Sequence, residues 1–121
     1  MYTRRSFKSE LVTLSTTVTL TDPILAEDHA IFGIVLESTA AWTAASITFQ
    51  VGETKGGTFY NLYDSNGIEV AATVGGSERA ISLDDIADSL VPYPYYKLRS
   101  GTAALAVTQA SPVRFRIHMK G

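Results

Sequence analysis

The chain has 121 residues, 45% of them hydrophobic, no cysteine, and a formal net charge of −2 at pH 7. That bounds it to a single domain with enough apolar material for a core burying roughly two-thirds of the unfolded surface. The charge is too mild to hold DNA or an acidic membrane at range, and the lack of cysteine excludes a disulfide framework, a thiolate metal site and a cysteine nucleophile.

The opening MYTRRSFKSELV lacks the apolar segment of a signal peptide, and no stretch approaches the length of a membrane span. The expectation is a soluble protein made in the cytoplasm. Residues 1–10 are basic and without regular pattern, and read as an amino-terminal arm. Left alone such an arm frays; on a partner it would order, with Arg4 and Arg5 pairing with acidic surface and Phe7 filling a pocket.

Residues 11–121 read as one domain rich in threonine, valine, isoleucine and aromatics, punctuated by turn pairs. Residues 11–20 predict a first strand, stopped by Asp22-Pro23, and residues 31–38 a strand covered on both faces. Ile47, Phe49 and Val51 alternate with Thr48 and Gln50, the period of a strand with one wet face. Gly56-Gly57 reads as a turn using positive φ, and Asn66-Gly67 as a second hairpin turn, so residues 47–74 predict a three-stranded meander. Ser82 followed by Asp84 and Asp85 predicts a capped short helix near residues 83–90, ending before Pro92. A strand over residues 95–99 is closed by Ser100-Gly101, with Ala104–Thr108 as a continuation. In the last strand Val113, Phe115, Ile117 and Met119 point one way and Arg114, Arg116, His118 and Lys120 the other. Seven or eight short strands at this spacing predict an all-β domain, a two-sheet antiparallel sandwich of jelly-roll type.

Glu27-Asp28-His29 sets carboxylates beside an imidazole, but neighbours in a loop rarely converge, and a zinc or iron site needs at least three converging ligands. Asp64–Glu69 lacks the distal bidentate acid of a calcium loop. There is no G-x-S-x-G elbow and no phosphate-cradling loop. Glu37, Glu53, Asp64 and Glu69 would serve a glycosidase only if two of them met in space. The expectation is therefore no catalytic residue, no metal and no cofactor. The cationic row of the last strand reads as an edge strand charged against edge-to-edge pairing, in preference to a nucleic-acid contact. The tyrosines are the richest class, serving either packing or binding. Among them Val91–Tyr96 stands out, because its two prolines stiffen a loop in which Tyr93 and Tyr95 are contact candidates.

From Trp42 to Gln109 the chain resembles small virion proteins of tailed bacteriophages and prophages. The likeness is carried by AAWTAASITFQVGETKGGTFYNLYDSNGIEV, RAISL and YYKLRSGTAALAVTQ. These correspond to a tryptophan before a TFQ strand, an aromatic strand, a G-x-E-V turn and a late K-L-R-S-G-T with a following glutamine. The resemblance implies a minor head protein or capsid decoration (cement) protein on the virion surface, with the major capsid protein and its own copies, often as a homotrimer, as partners. It implies no catalytic residue, no nucleic-acid partner and no membrane. It assigns no contact residue, so Arg4, Arg5, Phe7, Tyr93 and Tyr95 are interface candidates on physical grounds alone. The alternatives are a tail or head-fibre component, a carbohydrate-binding sandwich module using the tyrosines as a platform, and, third, a small glycan-active enzyme.

Overall fold

Strict alternation in the last segment places one complete row of apolar side chains against a core. The computed structural model describes residues 7–26, 29–90 and 92–120. Its described residues form nine strands and one short helix: β1 (Phe7–Leu14), β2 (Ile24–Leu25), β3 (Ala30–Leu36), β4 (Ser46–Gly52), β5 (Phe59–Asn61), β6 (Ala71–Thr73), β7 (Arg79–Ser82), α1 (Ala87–Leu90), β8 (Tyr95–Ser100) and β9 (Val113–Lys120). One sheet, here sheet A, runs β1-β9-β3-β7, and the other, sheet B, runs β2-β8-β4-β5 with β6 also on β4. Every pairing between these strands is antiparallel. With β5 and β6 counted as one interrupted strand, this is the eight-strand order of a jelly roll.

The core lies between the sheets. Phe49, Tyr96 and Leu98 of sheet B face Ile34, Leu36, Phe115 and Ile117 of sheet A, all of them buried. Trp42 closes one end, its ring meeting Phe115 edge-on at 5.6 Å and 70°. In β3 both Ile31 and Ile34 are buried although three residues apart. A bulge between Ile31 and Gly33 shifts the register against β9 and restores the inward row.

Several expectations change. The first strand covers Phe7–Leu14, not residues 11–20, so the carboxy-terminal part of the supposed arm, from Phe7 on, is paired along β9. After Leu14 the chain turns, and Leu20 makes only an isolated bridge to Arg99. The meander is not formed: β6 returns to the same side of β4 as β5, pairing Ser46–Thr48 while β5 pairs Gln50–Gly52. Ala104–Thr108 does not prolong β8. The chain reverses at Gly101, and Val107 N–H donates back to Ser100 O at 2.9 Å. Gly101 has φ +98°, and a Cβ there would meet Leu105 O at 2.5 Å, so only glycine fits the reversal.

Asn66-Gly67 behaves as its sequence predicts, with φ +79° at Gly67 and the Asp64 carboxylate accepting from the amides of Asn66 and Ile68. Gly56-Gly57 does not: neither has positive φ, and Gly57 is needed because a Cβ would overlap the Thr54 hydroxyl. Ser82 Oγ accepts from Asp84 N–H at 3.4 Å at the start of the turn leading into α1.

Candidate functional site

Two surfaces carry chemistry, and they belong to different sheets. The first is a groove of about 700 Å3. It is lined by the buried Val51 of β4 and Leu62, by Tyr60 and Tyr63, and by Pro92-Tyr93-Pro94. These residues meet because Val51 pairs with Tyr60 across β4 and β5, while the α1–β8 connection returns over the same end of the sandwich. Tyr60 is 68% exposed, Tyr63 50% and Tyr93 36%, so their rings serve the groove and are not consumed by the core. Tyr95 does not line the groove; it is half-buried in β8 between Gly52 and Leu25.

Residues 92–94 are held at both ends. Tyr93 N–H donates to Leu90 O, Ala26 N–H donates to Pro94 O at 2.9 Å, and the Tyr96 hydroxyl donates to Leu90 O. Burial is the chief reason the Tyr96 phenol is pushed up to about 12 from its ordinary 10. Because the folded state keeps its proton longer than the unfolded chain does, this contribution is intact below pH 10 and is lost as pH rises toward 12. Urea unfolding is expected to show no difference in pH slope from Tyr96→Phe at pH 9, and between about pH 10 and 12 a decline steeper in the native protein by up to about 1.4 kcal/mol per pH unit. Parallel declines would contradict this.

The second surface is the outer face of sheet A. Since Val113, Phe115, Ile117 and Met119 are buried, Arg114, Arg116, His118 and Lys120 stand on the outside. β9 lies between β1 and β3, so the row crosses the middle of a sheet face and does not guard an edge, as alternation alone had suggested. Alternation fixes which face a residue takes but not which strand lies beside it. Beside the row, in register, run Phe7 against Lys120, Ser9 against His118, Leu11 against Arg116 and Thr13 against Arg114. Phe7 is 75% exposed and Leu11 45%, which sets two exposed apolar side chains next to a cationic row. Glu37 answers Arg116, accepting from its Nε at 2.9 Å. Arg4 and Arg5 lie outside the described residues, as do Glu27 and Asp28 of the proposed loop triad.

Of the four acids weighed for paired catalysis, Glu37, Asp64 and Glu69 have local partners, and Glu53 lines the groove. Asp64 holds its turn, and Glu69 accepts from Arg99 at 3.3 Å and from the Ala103 amide at 2.9 Å. Among the described residues no three of His, Asp and Glu group as metal ligands, and no helix is long and apolar enough to cross a membrane.

Sequence reasoning missed a partly buried polar network centred on Arg99 and Thr48 on the outer side of sheet B. Arg99 reaches Glu69, Asn61 and Thr48, and Gln50 Nε2 donates to Asn61 Oδ1 at 3.2 Å. Nearby, Gln109 is buried, with its amide accepting from Thr43 N–H at 2.7 Å and donating to Thr43 O and Ser100 Oγ. No local sequence signal joins these residues, since the partners of Arg99 stand 30, 38 and 51 residues away.

No family model, curated protein or solved structure matches this chain.

Proposed function

We propose that this chain is a capsid decoration protein of a tailed phage, seated on the major capsid protein through the outer face of sheet A. The phage assignment rests on the sequence resemblance between Trp42 and Gln109. The jelly roll is compatible with it, being a fold of viral capsid and lectin domains alike, although fold by itself does not imply function. The docking surface rests on one observation: Phe7 and Leu11 lie exposed alongside Arg114, Arg116, His118 and Lys120. Two exposed apolar side chains beside a cationic row fit an acidic protein surface, Phe7 and Leu11 supplying burial and the charges register and on-rate. Copies assembled as a trimer about a capsid symmetry axis would each present this face, and the protein would stabilise the head by bridging neighbouring subunits.

Expanded capsids lacking the protein test this. Added protein is expected to raise their melting temperature, with binding weakening as salt is raised. The double variant Arg114→Glu, Arg116→Glu should lose binding about tenfold or more, since about 1.4 kcal/mol suffices for that. Arg114 is exposed and its reversal should change stability by less than about 1 kcal/mol, whereas reversal of Arg116 also loses the Glu37 bond, so binding is measured at a temperature where both proteins are shown to be folded. Undiminished capsid stabilisation by the charge-reversed protein would exclude this face.

A further inference from the structure

We infer that the tyrosine groove is a binding site for a neutral carbohydrate chain. The inference stands apart from capsid docking, because none of the groove's lining residues belongs to sheet A. Three features argue for it.

The first is shape. An open trough of about 700 Å3 falls in the roughly 300–1,000 Å3 range of small-ligand sites. Its lining includes the flat-sided Tyr60, Pro92 and Tyr93 together with the buried apolar Val51 and Leu62. Sugar rings have apolar C–H faces and polar edges, and tyrosine matches both with its ring and its hydroxyl.

The second is charge. Among the described lining residues none is basic and Glu53 alone is acidic, so an anionic ligand would meet repulsion and no counter-charge. A carboxylate accepts hydrogen bonds only, and a polyhydroxyl ligand brings donors to it. A proline-rich peptide, the other ligand that lies on aromatic grooves, presents carbonyl acceptors and few N–H groups, leaving Glu53 unmatched. A peptide added as a strand fares worse, because β5 offers an edge of only three residues.

The third is preorganisation. Residues 92–94 are pinned at both ends, Tyr93 N–H donating to Leu90 O, which the Tyr96 hydroxyl also fixes, and Pro94 O accepting from Ala26 N–H, so little ordering remains to be done on binding.

The test is affinity electrophoresis of the purified chain in gels containing dextran, hydroxyethyl cellulose or galactomannan, with alginate as the anionic comparison. At least one neutral polymer is expected to retard the protein, and alginate should not. Tyr60→Ala and Tyr93→Ala should each weaken retardation about tenfold or more. Tyr60→Phe, which keeps the ring, should retain most of it and guards against misfolding of the alanine variants. Arg114→Ala, on the other sheet, should leave it unchanged. No retardation by any of the three neutral polymers would overturn the inference. So would retardation that survives both alanine variants, or saturable binding of a proline-rich decapeptide at the groove in place of sugar.

Discussion

Arg99→Ala is expected to remove roughly 2–3 kcal/mol of stability, the cost of losing charge-assisted hydrogen bonds from a buried guanidinium while Glu69 keeps only the Ala103 amide. Arg99 and Glu69 side chains are only 6% and 17% exposed, so water cannot replace the lost partner cheaply. The guanidinium also bonds Asn61 and Thr48, tying β8, β4, β5 and the segment before β6 together on one side of sheet B. Against a total stability of about 5–15 kcal/mol for a domain, this is a large fraction. Arg99→Lys should fall between, keeping the charge but not the fork that addresses several acceptors at once. Urea denaturation is the measurement, with the midpoint shifting at constant slope. A loss below about 1 kcal/mol would show that the network is ornamental.

Phe115→Ala should cost about 3–5 kcal/mol, for a different reason. Phe115 is wholly buried in β9, flanked in register by Val12 and Leu36, and receives the edge contact with Trp42. Truncation opens a cavity at the meeting of β1, β9 and β3. Trp42 is the chain's one tryptophan, so its fluorescence reports the site directly. A shift to longer wavelength in the folded variant, together with a lowered urea midpoint, is expected. An unchanged spectrum and midpoint would mean the Trp42–Phe115 contact does not organise that end of the sandwich.

The two residues differ in how far the sequence announced them. Phe115 belongs to an alternation so regular that its inward direction was readable without a structure. Arg99 lay in a predicted strand, but its partners stand 30, 38 and 51 residues away, and nothing local marks such a meeting. The same division runs through the fold. The Asn66-Gly67 turn and the Ser82-led turn were legible because their causes are local. The strand order is not local: alternation alone predicts an edge for β9 and a meander ending at β6, whereas β9 lies between β1 and β3 and β6 pairs with β4. Gly56-Gly57 misled because glycine answers two needs, positive φ and close approach, and Gly57 serves the second.

Within the candidate site, Tyr93 was chosen from the stiffness of its prolines, and the structure places it on the groove. Its companions Tyr60 and Tyr63 were noticed as aromatics but could not be joined to it, since the joining is done by pairing of β4 with β5 and by the return of the α1–β8 loop. The segments carrying the phage resemblance include the Arg99 and Gln109 networks. In this molecule those motif residues build the scaffold, while the exposed Phe7 and Leu11 precede the resembling segment.

Sedimentation of purified protein with expanded capsids that lack it, followed by counting bound copies per particle, tests the decoration role most directly. Saturation at a fixed ratio set by a capsid symmetry site is the predicted result. Protein that stays in the supernatant at every concentration would contradict it.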